Sequence, residues 1–369
     1  MGFRVLIVPD KFKGTLTAQE AAAALAKGWK AARSDDVIGK FPMSDGGDGF
    51  GEVVGDLLDA EVQTTKTVDA AHRTLTASWW WEAQGTTAII EAARVNGLAQ
   101  LPAGKFHPFE LDTFGLGEVL RDALMRGAKR CIMGIGGSAT NDGGFGVARA
   151  MGWEFFNSKS ARIDRWTDLH ALSQIKPPPH DKWFDELLVA VDVNNPFLGE
   201  RGCTRIYGPQ KGLKATDFEF AERCLGVLAS VAQKELHLET AVEPGAGAAG
   251  GLGFGLRTFL GAKLVPGFEL YVDLAKLAAR IAESDLVLTG EGAIDEQTLM
   301  GKGVGELAAL CRKLNKPCIA IGGMATDAAK SGNLFTKVLA LTSFTTHDQA
   351  RANAAHWLTV AAQKAGETW

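Results

Sequence analysis

Residues 4–32 have the sequence RVLIVPDKFKGTLTAQEAAAALAKGWKAA, which predicts a buried strand followed by a helix. The run 4–8 is short and mainly apolar, as in a parallel strand that is covered on both faces. Thr17 is a typical helix N-cap, and Glu20 stands three residues later as its capping-box partner. The alanine-rich stretch 18–32 contains no proline and predicts the helix. This order of strand, loop and helix is the repeating unit of an α/β fold.

The same alternation returns in the last third of the chain. Short apolar runs predict strands over 286–288, 318–321 and 338–341, and the segments 304–314 and 348–365 predict helices. The middle differs, because Val62 to Trp81 has two β-prone runs of the antiparallel kind. We therefore expect the two chain ends (1–80 and 284–369) to form one α/β domain with a parallel sheet, and the middle of the chain (81–283) to be inserted into it.

Composition and charge narrow the class of protein. The 369 residues include 39 Lys and Arg against 43 Asp and Glu, a net charge of −4, which argues against nucleic acid or an anionic membrane as the main partner. No apolar stretch is long enough to cross a bilayer, and the N-terminus lacks the features of a signal peptide. The five cysteines form no CxxC pair, so neither a zinc site nor a disulfide framework is indicated. These features predict a cytoplasmic protein that acts on a small molecule.

Glycine is abundant, with 44 residues, and it is concentrated in four polar clusters. The clusters follow predicted strands or precede helices, where backbone N–H groups can bind phosphate or carboxylate. Because the carboxyl ends of parallel strands share one edge of a sheet, we expect the clusters to gather there. They are MSDGGDG (43–49), GIGGSATNDGGFG (134–146), GAGAAGGLGFG (245–255) and TGEGAIDEQTLMGK (289–302).

Each cluster has a functional and a structural interpretation. In the first, Asp45 and Asp48 could ligate Mg²⁺ or activate a hydroxyl, or could simply form a polar turn with a helix cap. The second is hard to explain as a plain connection. The third could be a site of tight helix packing. The fourth carries Glu291, Asp295 and Lys302, which could contact phosphate or metal. The anion-binding candidates of the second cluster are Gly136, Gly137, Ser138, Ala139, Thr140 and Asp142.

Charged side chains also follow two other predicted strands. Asp10, Lys11 and Lys13 come after the first strand, where an aspartate and lysines can hold an acid and a transferring phosphoryl group. Asp192 follows the strand over 187–191, and the segment Tyr207 to Gly212 comes soon after. Caps or solvated charges are the structural alternative at such positions.

Nucleotide-binding motifs leave a second class of enzyme open. No G-x-x-x-x-G-K-[ST] occurs, so a P-loop is absent. Gly134-x-Gly136-x-x-Ala139 follows a strand, and Gly245-x-Gly247-x-x-Gly250 also matches the dinucleotide fingerprint. The first continues as a polar loop where a dinucleotide fold should already be helical. An NAD-dependent hydroxy-acid dehydrogenase therefore stays an alternative, and so does a non-catalytic sensor of carboxylates or nucleotides.

The ordered set of motifs resembles the bacterial type I glycerate kinase family. The stretches that carry the resemblance keep the family's order over residues 5 to about 305: PDKFKGTL (9–16), MSDGGDGF (43–50), GIGGSATNDGG (134–144), VDVNNPF (191–197), GPQKG (208–212), PGAGAAGGLG (244–253) and TGEGAIDEQTLMGK (289–302). Each motif alone is modest, but the ordered set is specific.

The resemblance implies two α/β domains with a cleft between them, one flavodoxin- or Rossmann-like and built from both chain ends, the other an inserted mixed α/β domain. It also implies transfer of phosphate from ATP to D-glycerate with Mg²⁺, typically giving the 2-phospho isomer. Phosphoryl transfer needs positioning and charge neutralisation more than covalent chemistry. We expect Asp192 to be the base or metal ligand, with Asp45 as the competing candidate for either role. Lys13 and Lys211 would neutralise phosphate or carboxylate charge. The other expected substrate- or phosphate-binding residues are Asp10, Lys11, Gly136, Gly137, Ser138, Ala139, Thr140, Asp142, Asn194, Gln210, Gly290, Glu291 and Asp295.

The chain also departs from the family's pattern. The usual serine after PD is Lys11, the usual ADGGEGT is SDGGDGF, and the arginine that usually follows TGEG is Ala293. These changes bear on which hydroxy acid is accepted, because Lys11 could supply a cation that Ala293 lacks. The sequence leaves homo-oligomerisation open.

Overall fold

The computed structural model describes residues 2–179, 182–300 and 303–369, which form a mixed α/β fold. Its strands are β1 (Arg4–Ile7), β2 (Val37–Lys40), β3 (Glu61–Val68), β4 (Thr74–Glu82), β5 (Thr87–Glu91), β6 (Arg130–Gly134), β7 (Glu154–Asn157), β8 (Leu172–Lys176), β9 (Glu186–Val191), β10 (Lys263–Pro266), β11 (Leu286–Ile294), β12 (Cys318–Ala325) and β13 (Lys337–Ala340).

The α-helices alternate with these strands over most of the chain. They are α1 (Ala18–Ala32), α2 (Phe50–Leu57), α3 (Ala93–Asn96), α4 (Phe114–Met125), α5 (Phe145–Ala150), α6 (Cys203–Lys211), α7 (Ala215–Leu236), α8 (Ala248–Leu260), α9 (Gly267–Leu274), α10 (Leu277–Glu283), α11 (Glu296–Leu299), α12 (Val304–Lys313), α13 (Asp327–Ser331), α14 (His347–Ala352) and α15 (Ala354–Glu367). No helix in the described ranges is long and apolar enough to cross a bilayer.

The chain divides into two compact units, and the first is built from both chain ends, residues 1–44 and 268–369. Its five strands are all parallel and lie in the order β13-β12-β11-β1-β2. Numbered within the unit, this is the 2-1-3-4-5 order of flavodoxin-like sheets. The expectation of a flavodoxin-like α/β sheet made from both ends is therefore confirmed.

The core of the first unit explains why these segments pack as they do. Thr17 and Glu20 form the predicted capping box at the start of α1. Helix α1 buries Leu25 and Trp29 and packs along α15. A Cβ on Gly28 would lie 2.1 Å from the backbone oxygen of Thr359, so only glycine allows the two helices to approach this closely.

The second unit comprises residues 45–267 and contains a six-stranded mixed sheet in the order β10-β9-β6-β5-β4-β3. The four strands from β10 to β5 are parallel, and β4 and β3 continue the sheet antiparallel. Strand β4 pairs with β5, with Trp80 opposite Ile89, and this pairing brings β3 and β4 into the second unit. The units thus part at residues 44/45 and 267/268, whereas the sequence suggested boundaries near 80 and 284.

Several elements differ in length from the predicted ones. The sequence predicts a strand over 37–43, but strand β2 stops at Lys40, before Pro42, which cannot donate to a strand neighbour. Strand β11 runs on to Ile294, because its continuation pairs with β12 as far as Ala325. The predicted C-terminal helix is broken at Asn353 into α14 and α15.

Candidate functional site

The carboxyl edge of the parallel strands in the second unit brings together the first two glycine clusters. The glycine loop (residues 135–144) follows β6 and packs against the backbone of the first cluster. Gly136 N donates to Gly46 O at 3.0 Å, and a Cβ on Gly136 would lie 2.7 Å from the Cα of Gly47. Gly46 in turn has φ +104° and lies against Ala190 near the end of β9. The contacts between these backbones leave no room for side chains, which accounts for the glycines.

The glycine loop offers hydrogen-bond donors to a ligand. Among the described residues, the structure gives no acceptor for the backbone N–H groups of Gly137 and Ser138. Ser138 Oγ lies 3.0 Å from Thr140 Oγ1, and both hydroxyls are buried. Backbone N–H groups and hydroxyls in a glycine-rich turn suit the oxygens of phosphate or carboxylate.

Lys211, at the end of α6, brings a positive charge to this loop. Its side chain is 6 % exposed, and Nζ donates to Thr140 O at 2.6 Å. No other hydrogen-bond acceptor or carboxylate partner of Nζ is found in the described part of the chain. Burial lowers the pKa of Lys211 to about 8, because a desolvated ammonium is costly to keep charged. An ammonium in this position is suited to pair with an incoming anion.

The third glycine cluster forms a left-handed turn against the same loop. Ala249, Gly250 and Gly251 have φ of +55°, +71° and +83°. A Cβ on Gly250 would lie 1.9 Å from Thr140 O and 2.8 Å from the Nζ of Lys211. Ser138 Oγ donates to Ala249 O at 3.3 Å. Left-handed backbone is costly for alanine, so this turn persists only because its surroundings hold it.

The loop that follows β9 (residues 192–202, the β9 loop) carries Asp192, which is exposed. Tyr207 of α6 donates its hydroxyl to Asn195 Oδ1 at 2.7 Å. Burial raises the pKa of Tyr207 to about 12, and the negative charge of Asp192 contributes. The tyrosine and the aspartate are therefore neighbours. Asn194 and Gln210, both expected to contact substrate, are exposed.

The carboxylates of the first cluster do not cap the helix that follows. Asp45 is partly exposed and accepts a hydrogen bond from Gly47 N at 3.2 Å through Oδ1, and Asp48 is exposed. Helix α2 is capped instead by Glu91, whose two oxygens accept from Gly49 N and Gly51 N. Within the described ranges, no group of three or more His, Cys, Asp or Glu side chains is arranged to hold a metal ion.

Asp142 and Ala139, both expected to bind substrate, lie in the interior. Asp142 is fully buried and accepts hydrogen bonds from Thr113 N, Thr113 Oγ1, Gly144 N and Gly146 N. Burial raises its pKa to about 6 in spite of these donors. Asp142 thus fixes the start of α5. Ala139 is also fully buried and packs against Ala70 and Leu111.

The remaining predicted residues belong to the first unit, next to the point where its strand order reverses between β1 and β11. Asp10 N donates to Gly290 O at 2.9 Å, and Asp10 Oδ1 accepts from Lys11 N at 2.7 Å. Lys13 is exposed. The reversal point of a parallel sheet is where open α/β folds bind ligands. Asp10, Lys11, Lys13 and Glu291 are called the switch-point group below.

The fourth cluster is partly strand, contrary to the expected loop. Thr298 Oγ1 donates to Glu291 Oε1 at 2.8 Å and so orients that carboxylate. Asp295 is the N-cap of α11 and accepts from Gln297 N at 2.8 Å, which is a structural role. Gly290 is buried, and a Cβ there would lie 2.3 Å from Ile321 O, so a larger residue would not fit. Lys302 lies outside the described residues.

The geometry gives no support to the dinucleotide fingerprints. In the first, helix α5 begins only at Phe145, and Ala139 of the glycine loop donates its N–H to Asn96 O of α3. In the second, the left-handed turn occupies the position where the helix should begin. A dinucleotide fold needs its helix N-terminus directly at the pyrophosphate, so neither glycine triplet matches that mode of binding.

Three polar residues around the site were not predicted from the sequence, namely Asn141, Thr204 and Tyr207. Asn141 is fully buried and donates Nδ2 to Thr204 Oγ1 at 3.0 Å, while its Oδ1 has no partner among the described residues. Tyr207 received no role. Thr204, Tyr207 and Lys211 are spaced three and four apart in α6, and this helical spacing could have indicated that they share one face.

Known proteins resemble this chain in sequence and in structure over most of its length. The family model described as the glycerate kinase family matches residues 5–369. A glycerate kinase of Halalkalibacterium halodurans is 39% identical over 323 residues, which is 86% of this chain and 85% of that protein. Glycerate 2-kinase of Escherichia coli K12 is 37% identical over 327 residues, or 88% and 86% of the two chains. A crystal structure from Salmonella typhimurium LT2, described as a glycerate kinase 2, has a TM-score of 0.87 at 31% identity and covers 100% of this chain and 98% of its own.

Proposed function

Because this chain belongs to the glycerate kinase family, we propose that it transfers the terminal phosphoryl group of ATP to D-glycerate, giving 2-phosphoglycerate and ADP. Membership of the family makes it a phosphotransferase with ATP as donor. The observation that carries the site assignment is the buried ammonium of Lys211 beside the open donors of the glycine loop. A dehydrogenase finds no support in the relatives or in the loop geometry.

The glycine loop and Lys211 would bind the negative charge that moves during the reaction. Gly137 and Ser138 supply backbone N–H donors, and Lys211 supplies a cation at the base of the loop. Such fixed donors need no rearrangement as charge develops on the transferring group, which is how they lower the barrier. Either the phosphoryl group or the carboxylate of the acceptor could accept hydrogen bonds from these donors.

Asp192 is our candidate for the base that accepts the proton of the attacking hydroxyl. It follows β9 directly and is exposed, and β9 pairs with β6, the strand that leads into the glycine loop. Asp45 is the competing candidate. A carboxylate within reach of the hydroxyl fits the proton transfer that this reaction needs.

Mg²⁺ would be held by few protein groups. The absence of a cluster of three ligands in the described residues excludes a cage made by those side chains alone. Mg²⁺ in phosphotransferases is usually held by one or two carboxylates together with phosphate oxygens and water. Asp192 and Asp45 fit that mode, since Asp192 directly follows β9 and Asp45 precedes Gly46, which lies against Ala190 near the end of β9. When bound, the ion neutralises phosphate charge.

The switch-point group would bind an anionic group of one of the two substrates. Lys11 and Lys13 carry the charge, and Glu291 is oriented by Thr298 at 2.8 Å. The family's arginine is replaced here by Ala293, so we propose that Lys11 has a larger part in substrate choice. We also propose that the enzyme is cytoplasmic, in keeping with its five buried free cysteines.

A coupled assay of ADP release with Mg-ATP and D-glycerate tests the function. L-Glycerate and glycerol serve as comparison acceptors, and phosphorus NMR of the product distinguishes the 2- from the 3-phospho isomer. EDTA should abolish turnover. A protein that binds ATP but releases no ADP with any short hydroxy acid would be a sensor, and the proposal would be wrong.

Two matched variants test the base. Asp192→Asn should lower kcat by about 100-fold or more if it accepts the proton. Asp45→Asn should raise the Mg²⁺ concentration needed for half-maximal rate. Asp348→Asn is the control, because that side chain is fully exposed on α14. If Asp192→Asn kept near wild-type turnover and Asp45→Asn did not, the two roles would be exchanged.

A further inference from the structure

One face of α6 holds both loops of the candidate site. Thr204, Tyr207 and Lys211 lie at spacings of three and four, which places them on the same side of the helix. Thr204 accepts from the glycine loop, Lys211 donates to it, and Tyr207 donates to the β9 loop. Helix α6 therefore connects the glycine loop, which carries the proposed phosphate-binding donors, to the β9 loop, which carries Asp192.

The link to the β9 loop runs through Asn195. Tyr207 Oη donates to Asn195 Oδ1 at 2.7 Å, and Asn195 Nδ2 donates to Arg201 O at 2.7 Å. Asn195 O also accepts from Gly247 N at 2.9 Å, next to the left-handed turn. The side-chain oxygen, the side-chain nitrogen and the backbone oxygen of Asn195 thus each take part in a hydrogen bond. Removing the tyrosine hydroxyl would leave its side-chain oxygen without this donor.

The phenol is protonated at neutral pH and so acts as a donor. A tyrosine phenol has an ordinary pKa of about 10, and Tyr207 Oη lies 2.7 Å from Asn195 Oδ1. Its hydroxyl hydrogen is already committed to Asn195, so Tyr207 has none left to give a substrate. A role through the loop fits this geometry better than direct contact with the reacting atoms.

We propose that Tyr207 is a positioning residue, which holds the β9 loop through Asn195 and so fixes Asp192 relative to Lys211. This inference rests on the proposed function, because it takes Asp192 as the base. It adds a residue that neither the sequence motifs nor the relatives assign to the site.

The test uses Tyr207→Phe in the full chain, which removes one hydroxyl and keeps the ring. We expect kcat to fall by about tenfold, the order of one hydrogen bond, with the KM values for ATP and D-glycerate changed by less than about twofold. Asn195→Ala should give a similar loss of kcat. The double variant Tyr207→Phe/Asn195→Ala should be no worse than Asn195→Ala alone.

A double-mutant cycle with Asp192→Asn tests whether Tyr207 acts through Asp192. In an Asp192→Asn background, adding Tyr207→Phe should change kcat by less than twofold, because the group that it positions is gone. The matched control is Tyr271→Phe, the chain's other tyrosine, whose buried hydroxyl donates to Phe41 O at 3.0 Å in the first unit. That variant should change the thermal midpoint and leave kcat unaltered.

Two results would overturn the proposal. One is a Tyr207→Phe enzyme with unchanged kcat, and the other is a full tenfold loss on top of Asp192→Asn. Failure of the proposed function is distinct, since the wild-type enzyme would then release no ADP. If Asp192→Asn alone kept wild-type activity, the base assignment would fail, and the positioning role would fail with it.

Discussion

Lys211→Met should make the protein more stable and much less active. The ammonium of Lys211 has an ordinary pKa of 10.5 and a pKa of about 8 in the folded protein. That difference corresponds to a cost of about 3 kcal/mol for keeping it charged at pH 7. Methionine has a similar length and no charge. Loss of the hydrogen bond to Thr140 O costs about 1 kcal/mol, so the net gain in unfolding free energy is about 2 kcal/mol.

The gain in unfolding free energy from Lys211→Met should become smaller as the pH rises from 8 to 10.5. The pKa of Lys211 is lower in the folded than in the unfolded state, so between pH 8 and 10.5 the unfolded chain binds more protons. Wild-type stability therefore rises in this range relative to the variant. At pH 10 the cost of the charge is below about 1 kcal/mol, and the advantage of methionine should have disappeared.

Urea unfolding of both proteins at pH 7 and pH 10, together with ADP-release kinetics at pH 7, measures both effects. We expect kcat/KM to fall by about 100- to 1,000-fold, the usual cost of losing one donor to transition-state charge. Lys234→Met is the control, because Lys234 is exposed on α7. That variant should change stability by less than about 0.5 kcal/mol and leave the kinetics unaltered.

The reasoning is refuted if Lys211→Met is less stable than wild type at pH 7. That result would mean that the buried ammonium has a compensating partner. Unchanged kinetics in a stable variant would refute the placement of Lys211 beside the transferred charge.

Gly250→Ala should destabilise the protein by about 1–2 kcal/mol or more and lower activity, because its φ is +71° and the added Cβ meets backbone. Ala249→Gly should raise the thermal midpoint, with a gain of up to about 1 kcal/mol, by relieving a φ of +55°. Burial alone would raise the pKa of Asp36, but hydrogen bonds from Arg33 and Trp29 hold it below 3.8. Asp36→Asn should therefore cost about 2 kcal/mol at pH 7 in urea unfolding, and less as the pH falls below about 4.

Each of these expected changes in stability can be contradicted by experiment. A Gly250→Ala protein with wild-type stability would show that the turn can move away from the glycine loop. Destabilisation by Ala249→Gly would mean that the alanine methyl packs well enough to outweigh its strain. A difference between Asp36→Asn and wild type that stayed constant down to pH 3 would rule out the carboxylate as its source.

Much of the fold was available from local patterns. The first strand and helix, with the capping box of Thr17 and Glu20, depend on residues close in sequence, and they form where predicted. The parallel sheet built from both ends followed from the alternation of strands and helices, whereas the order of its strands did not. The boundary between the units did not, because it depends on β4 pairing with β5, a contact that the β-prone runs cannot specify on their own.

The motifs indicated the glycine loops, the lysines and the family from the sequence alone, since glycine-rich turns and charged strand ends are local features. Only the tertiary structure separated the roles of Asp142 and Lys211. Both are buried, but within the described part of the chain Asp142 accepts four hydrogen bonds, whereas Lys211 donates one, to Thr140 O. Burial and hydrogen-bond partners come from chain segments far apart in sequence. The identity of a charged residue can therefore be known before its role, and the packing around it decides whether it caps a helix or meets a substrate.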